Sequence, residues 1–317
     1  MRRAGARDAS IAKKKSGVHN VRQHIERGET MAYIFLDNRM VTDSEARISV
    51  FDHGFLYGDG VYETMRTYDQ VVFMREQHLE RLSRSAAFIR LKVPPDDFVA
   101  EAVRQTLAAN GLTDAYVRIT VSRGKGPLGL DPDLCPEPTF VVFAQEFRRY
   151  PESWYRDGVR LVLAGTRRNP VDAVNPRIKS LNFLNNILAK IEAKDRGALE
   201  AVMLNEGGYI AEGTISNIFF MQEGILRTPS LDAGILDGIT RALVISLARR
   251  NGIRVEEGLF LPEDLLQATE VFYTNTTSEI MPVSMIDQRP FVVGEATRFL
   301  HRLYREEVVK YVEAFRR

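Results

Sequence analysis

Strand-forming runs in this 317-residue chain come in two series, and the interval from Gln145 to Gly158 that separates them constrains the fold more than any other feature. Across it the apolar pattern lapses into charge around Pro151 and Trp154, as at a boundary between two cores. A chain of this length exceeds what one core usually supports. The expected organisation is a first domain over 31–147, a linker over 148–158 and a second domain over 159–317, preceded by a basic extension over 1–30 that is expected to be disordered.

In the first series a hairpin is predicted over 33–36 and 39–41, around the turn Asp37-Asn38. Residues 61–67 alternate as a strand, with Tyr62, Thr64 and Arg66 on one face and Val61, Glu63 and Met65 on the other. A short strand at 71–74, helices over 76–89 and 96–110, and strands over 116–121 and 139–144 follow. The second series predicts strands over 159–165, 201–204, 215–221, 225–228 and 271–274. Its helices are expected over 181–196, from Gly238 to 251, and over 298–315. The mixture is α+β.

Composition removes several classes of function. The net charge of +1 gives no reason to expect nucleic acid or a membrane surface as partner, and no window has the apolar length of a membrane span. Residues 1–30 are basic but lack the continuous apolar run of a secretion signal. The single cysteine, Cys135, excludes internal disulfides and a cysteine-rich metal site, so no metal is expected and a reducing cytoplasm is the expected location.

Lys179 stands out within Pro176-Arg177-Ile178-Lys179-Ser180-Leu181-Asn182, at the expected mouth of the helix over 181–196. A cation in a first helical turn costs roughly a few tenths of a kcal/mol. Schiff-base formation with a phosphorylated aldehyde would remove that charge. Such a ligand needs phosphate donors, and Gly238-Ile239-Thr240 opens a helix, Thr276 and Thr277 follow an apolar strand, and Arg81 sits between apolar helix positions. A pyridine ring also needs a carboxylate beside its nitrogen, and Glu212 in Tyr209-Ile210-Ala211-Glu212-Gly213-Thr214 supplies one.

Three blocks carry a family resemblance: Tyr57-Gly58-Asp59-Gly60-Val61-Tyr62-Glu63, then Ile178-Lys179-Ser180-Leu181-Asn182 with Glu212-Gly213, and Gly238-Ile239-Thr240-Arg241. From about Tyr33 to Gly294 the chain resembles the fold type IV pyridoxal phosphate enzymes, which comprise branched-chain aminotransferases, D-amino acid transaminases and aminodeoxychorismate lyases. The resemblance implies a two-domain, D-amino acid aminotransferase-like fold, with a smaller N-terminal α/β domain and a larger C-terminal pseudo-barrel that binds pyridoxal 5'-phosphate. It implies that Lys179 forms the Schiff base and shuttles a proton, that Glu212 pairs with the pyridine nitrogen, and that Leu236 packs on the ring. Arg81, Gly238, Ile239, Thr240 and Thr276 would hold the phosphate. Amino acid and 2-oxo acid substrates and a homodimer are also implied.

Substrate contacts implied by the resemblance are Tyr57, Tyr62, Arg66, Tyr116, Arg118 and Thr277. Tyr116-Val117-Arg118 matches the tyrosine-x-arginine element of branched-chain aminotransferases, and the loop with Leu128 and Leu130 resembles theirs. Tyr62-Glu63-Thr64 and Leu184 depart from that group toward D-amino acid transaminases, and Thr64 aligns with a threonine of the lyases. The expected activity is amino transfer from a branched-chain L-amino acid to 2-oxoglutarate. D-amino acid or R-amine transamination and the lyase reaction are the alternatives.

Overall fold

The computed structural model describes residues 32–316, so the basic extension expected at 1–30 lies outside the described residues. β1 (Tyr33–Leu36) and β2 (Arg39–Thr42) form the expected hairpin, its turn led by Asp37 at φ 55°. A short helix, α1 (His53–Tyr57), is capped by the Asp52 carboxylate and ends at Gly58, whose φ of 69° turns the chain left-handed into β3 (Gly60–Tyr68). The strand expected at 71–74 shortens to β4 (Val71–Val72), because Met74 turns left-handed at φ 53° to start α2 (Arg75–Phe88). Next come α3 (Asp96–Ala109), β5 (Ala115–Ser122) and β6 (Thr139–Glu146). These strands pair antiparallel in the order β2-β1-β6-β5-β3-β4, with α2 against β3 and α3 against β1 and β6. Met65, Leu82, Val99 and Ile119 are among the side chains buried in this core.

The interval expected as a linker contains a helix, α4 (Glu152–Asp157), and Tyr150, Trp154 and Tyr155 pack against the second core. Aromatic contact anchors it while its charges face water. Then follow β7 (Val159–Leu163), α5 (Leu184–Asp195), β8 (Glu200–Leu204), β9 (Ile210–Gly213), β10 (Asn217–Gln222), β11 (Ile225–Pro229) and α6 (Ile239–Arg250). β12 (Val255–Gly258), α7 (Pro262–Leu266), β13 (Glu270–Asn275), β14 (Glu279–Ile286), β15 (Arg289–Pro290) and α8 (Glu295–Phe315) complete the chain. The second sheet runs β12-β11-β10-β13-β14-β7-β8-β9 with β15 on β14, and it curls until β9 approaches β10 and β11.

The helix expected from 181 begins only at Leu184, because residues 179–181 pair with β3 instead. Tyr62 donates its amide to the Lys179 carbonyl (3.0 Å), Leu181 donates to the Gly60 carbonyl (3.0 Å), and Val61 bridges Ser180. Lys179 therefore lies in extended backbone rather than in a first helical turn. On α5 itself only Ala189 and Ala193 are buried, whereas Leu184, Ile187, Leu188 and Ile191 face outward at 46–69% exposure.

One carboxylate ties β3 to the second half. Glu279, at φ 57° and 1% exposed, takes Arg66 Nη1 (2.7 Å) and the Tyr68 hydroxyl (2.9 Å) on one oxygen. Its other oxygen meets His301 Nε2 (2.8 Å) and Arg305 Nε (2.9 Å) from α8. Burial opposes this charge, but His301, Arg305 and Arg66 overcome it and hold the carboxyl at about 2. Removing one member of such a buried cluster costs about 3–5 kcal/mol. Glu279→Ala should lose that much in denaturant unfolding at neutral pH. A depressed carboxyl stabilises above the unfolded value of 4.5 and stops doing so as pH falls through about 2. The gap between wild type and variant should accordingly narrow once the pH drops below 4.5.

Candidate active site

A cleft opens between the β3 side of the first sheet and the curled second sheet, and Lys179 stands on its wall. The extended pairing with β3 fixes the lysine backbone, and its amide donates to Ser85 Oγ on α2 (3.2 Å). Nζ lies 4.6 Å from the centroid of the Tyr62 ring, and the Arg118 guanidinium lies 4.0 Å from the same centroid. Burial first, and then the Arg81 and Arg118 cations, pull the amine down to about 8 against the opposing pull of Glu63 and Glu212. A fraction of it is uncharged near neutral pH, the form that attacks carbonyl carbon. Burial drives the Tyr62 hydroxyl well above its usual value, so the phenol keeps its proton at neutral pH.

Arg81 is aimed by an acid. The inward face of β3 carries Glu63, 0% exposed, which accepts Arg81 Nε (2.6 Å) and Nη2 (2.9 Å) and lies 2.7 Å from His78 Nδ1. Burial works against the Glu63 charge, yet Arg81 and His78 outweigh it and keep the carboxyl far below its usual range. Nη1 donates to the Asp237 carbonyl (3.0 Å), which sets the guanidinium beside the start of α6. Two of the five N–H groups of an arginine are left for an anion, one on each terminal nitrogen.

The start of α6 suits the same anion. Gly238 is its N-cap, no side chain caps it, and its first turn holds no acid. Any side chain at 238 would collide with Asn217, since a Cβ there would fall 1.9 Å from Oδ1. Ile239 and Thr240 continue the wall, with Thr276 just after β13 and Thr274 within it. The Thr274 hydroxyl is buried without a partner.

Across the cleft, Glu212 is a strand residue of β9, 4% exposed, not the turn acid that its sequence setting suggests. Oε1 accepts from Arg168 Nε (2.8 Å), and Oε2 accepts from the Leu236 amide (2.9 Å) and Asn217 Nδ2 (3.3 Å). Leu236 thus joins the wall with its backbone already engaged.

The structure brings Lys179, Arg81, Glu212, Leu236, Gly238, Ile239, Thr240, Thr276 and Tyr62 to this cleft. Arg118 packs on the Tyr62 ring, its Nε bonded to Thr120 Oγ1 (3.2 Å). The other expected substrate contacts are placed elsewhere. Arg66 is held by Glu279 and packed between the Tyr68 and Phe147 rings. The Tyr116 hydroxyl lies 3.4 Å from Thr64 Oγ1, Thr277 bonds to Asn275, and Tyr57 is exposed beside His53. The sequence reading missed Arg168, Asn217, Thr274 and His78. Glu63, an acid on the apolar face of an alternating strand, was the signal that could have found His78.

The family model for amino-transferase class IV matches residues 60–286, and the chain belongs to that family. It is a transaminase. A protein of Methanocaldococcus jannaschii, provisionally named a branched-chain-amino-acid aminotransferase, is 44% identical over 282 residues, 88% of this chain and 97% of its own. The branched-chain aminotransferase of the thermophilic archaeon Thermoproteus uzoniensis, solved with norvaline, superposes with a TM-score of 0.84 at 36% identity, covering 90% of this chain and 97% of its own. The fold matches, curled half-barrel sheet included. Other activities share the family: the aminodeoxychorismate lyase of Bacillus subtilis is 35% identical over 280 residues (87% of this chain, 94% of its own). The D-alanine aminotransferase of Listeria monocytogenes serotype 4b is 37% identical over 284 residues (87% and 96%).

Modification of Lys179 by a small aldehyde, trapped by reduction and read by peptide mass mapping, should show a midpoint at about pH 8. Arg81→Met removes a repelling cation, so its midpoint should move upward toward the ordinary lysine value of 10.5.

Proposed function

We propose that this chain is a pyridoxal 5'-phosphate-dependent aminotransferase that moves the amino group of a branched-chain L-amino acid to 2-oxoglutarate. The observation that carries the reading is the spacing of charge in the cleft: a depressed amine at Lys179, a cationic uncapped helix start at one end, and the Glu212 carboxylate at the other. These donors fit the cofactor. Arg81, the Gly238 to Thr240 turn and Thr276 suit its phosphate, Leu236 its ring face, and Glu212 its ring nitrogen.

When bound, the cofactor supplies an aldehyde and an electron-withdrawing ring. The protein supplies position and proton traffic. Lys179 Nζ would hold the cofactor through its aldehyde carbon, with loss of water, and as a free amine it would carry the proton from the substrate Cα to the cofactor carbon. Its lowered proton affinity suits both tasks at neutral pH. Tyr62 packs against Nζ, and Arg118 on the same ring would offer a cation to an incoming carboxylate.

The branched-chain reading is supported by Tyr116-Val117-Arg118 and by the 44% identical relative. A second reading, D-amino acid transamination, is favoured by Leu184, whose exposed side chain stands where branched-chain enzymes often have a tyrosine. A donor panel of L-leucine, L-glutamate, D-alanine and R-phenylethylamine separates them through conversion of the cofactor to its amino form. L-leucine and L-glutamate should react, and reaction with D-alanine alone would overturn the first reading. Lys179→Ala should abolish turnover, and transamination at the parental rate would sink the assignment. Pyruvate and 4-aminobenzoate release from aminodeoxychorismate without an amino acceptor would favour the lyase.

The homodimer is part of this proposal, supported by the outward row of Leu184, Ile187, Leu188 and Ile191. Leu188→Glu should convert a dimer into a monomer in light-scattering chromatography. A wild type that elutes as a monomer would count against it.

A further inference from the structure

We propose that Arg168 is a positioning residue: it compensates and aims Glu212 so that the carboxylate can receive one protonated heteroaromatic nitrogen. The inference rests on the cofactor reading above and deepens it.

A carboxylate offers about four acceptor directions. Glu212 has filled three of them, with Arg168 Nε, the Leu236 amide and Asn217 Nδ2. What is left suits a single N–H donor, which is what a protonated pyridine ring presents.

Only one of the three donors is charged. Among the described residues Arg168 is the one cation in salt-bridge contact with Glu212, and both side chains are largely removed from water. A buried carboxylate stripped of its cation takes up a proton or turns toward solvent, and in either state it no longer offers an oriented anionic oxygen. The arginine is itself anchored. Its amide donates to the Leu204 carbonyl at the end of β8 (2.8 Å), and Nη1 reaches Asn185 Oδ1 (3.3 Å) on α5. Asn185 returns a bond from Nδ2 to the Arg167 carbonyl (2.7 Å). Two elements, β8 and α5, thus hold Arg168 while its Nε meets Oε1 of Glu212 on β9. Arg168 belongs to the loop leading toward Lys179, so the same segment presents the amine and disciplines the acid facing it.

The test compares pyridoxal 5'-phosphate with its 1-deaza analogue, in which C–H replaces the ring nitrogen, by calorimetric binding to the full-length protein. Both carry the same aldehyde and phosphate, so their ratio of dissociation constants isolates the nitrogen. Wild type should favour the nitrogen ring by at least about tenfold, as for a charge-assisted hydrogen bond. Arg168→Gln keeps a neutral donor and drops the charge; its ratio should fall toward unity while binding of the deaza analogue stays near wild type. Glu212→Gln should behave likewise, and the double variant should be no worse than Glu212→Gln alone. Arg168→Lys should recover part of the ratio.

An unchanged ratio in Arg168→Gln, or equal weakening of both ligands, overturns the proposal. Should Arg168→Gln show no cooperative thermal transition, Arg168→Lys decides: a ratio reduced severalfold supports the role and an unchanged one refutes it. If wild type binds neither ligand, or both equally, the cofactor reading falls and takes this role with it. Discrimination that survives in the arginine variants removes Arg168 alone.

Discussion

The cleft depends on a charge that never meets water. Glu63 lies on the inward face of β3, where the strand is otherwise apolar, and it is tolerated there because Arg81 closes on both of its oxygens and His78 on one. That pairing orients α2 against β3, and with them the guanidinium that reaches Asp237 at the head of α6. A neutral residue at 63 would leave Arg81 buried without a carboxylate, a costly state that reorientation would relieve. The Arg81 end of the cleft is therefore set by a contact inside the first core.

Charge is kept apart across the cleft by the same kind of pairing. Three buried acids have their own cationic partners: Glu63 has Arg81 and His78, Glu212 has Arg168, and Glu279 has Arg66, His301 and Arg305. Lys179 is the exception, a largely enclosed amine with no carboxylate in contact among the described residues, which is why burial and Arg81 are free to lower its proton affinity. Its lowered proton affinity follows from the lack of a contacting carboxylate, beside three acids that are each paired.

Much of this was legible in the sequence because the signals are local. Gly238-Ile239-Thr240 ahead of an apolar periodic run marks a helix start, and the alternation over 61–67 already placed Glu63 and Tyr62 on opposite faces. Three things were not legible. Residues 179–181 continue the apolar spacing of α5, but tertiary pairing with β3 takes them out of the helix. β9 and β14 each place a glutamate among fully buried neighbours, which breaks the pattern by which buried strands are recognised. Arg66 and Arg168 are both arginines near strand ends, and nothing short of their partners distinguishes one that ties two sheets together from one that faces the cleft.

If Lys179 works as proposed, the strand pairing at residues 179–181 has a consequence for its repeated use. A lysine on a loop would have to recover its backbone conformation each time its amine is released, at a conformational cost of about 1–2 kcal/mol per residue ordered. Here hydrogen bonds at Lys179 and Leu181 hold the main chain on β3, and only the side-chain torsions stay free. The amine swings on a fixed pivot. The ordering is done once, during folding, and a group that is bonded, released and bonded again returns to the same place by rotation about a few carbon–carbon bonds.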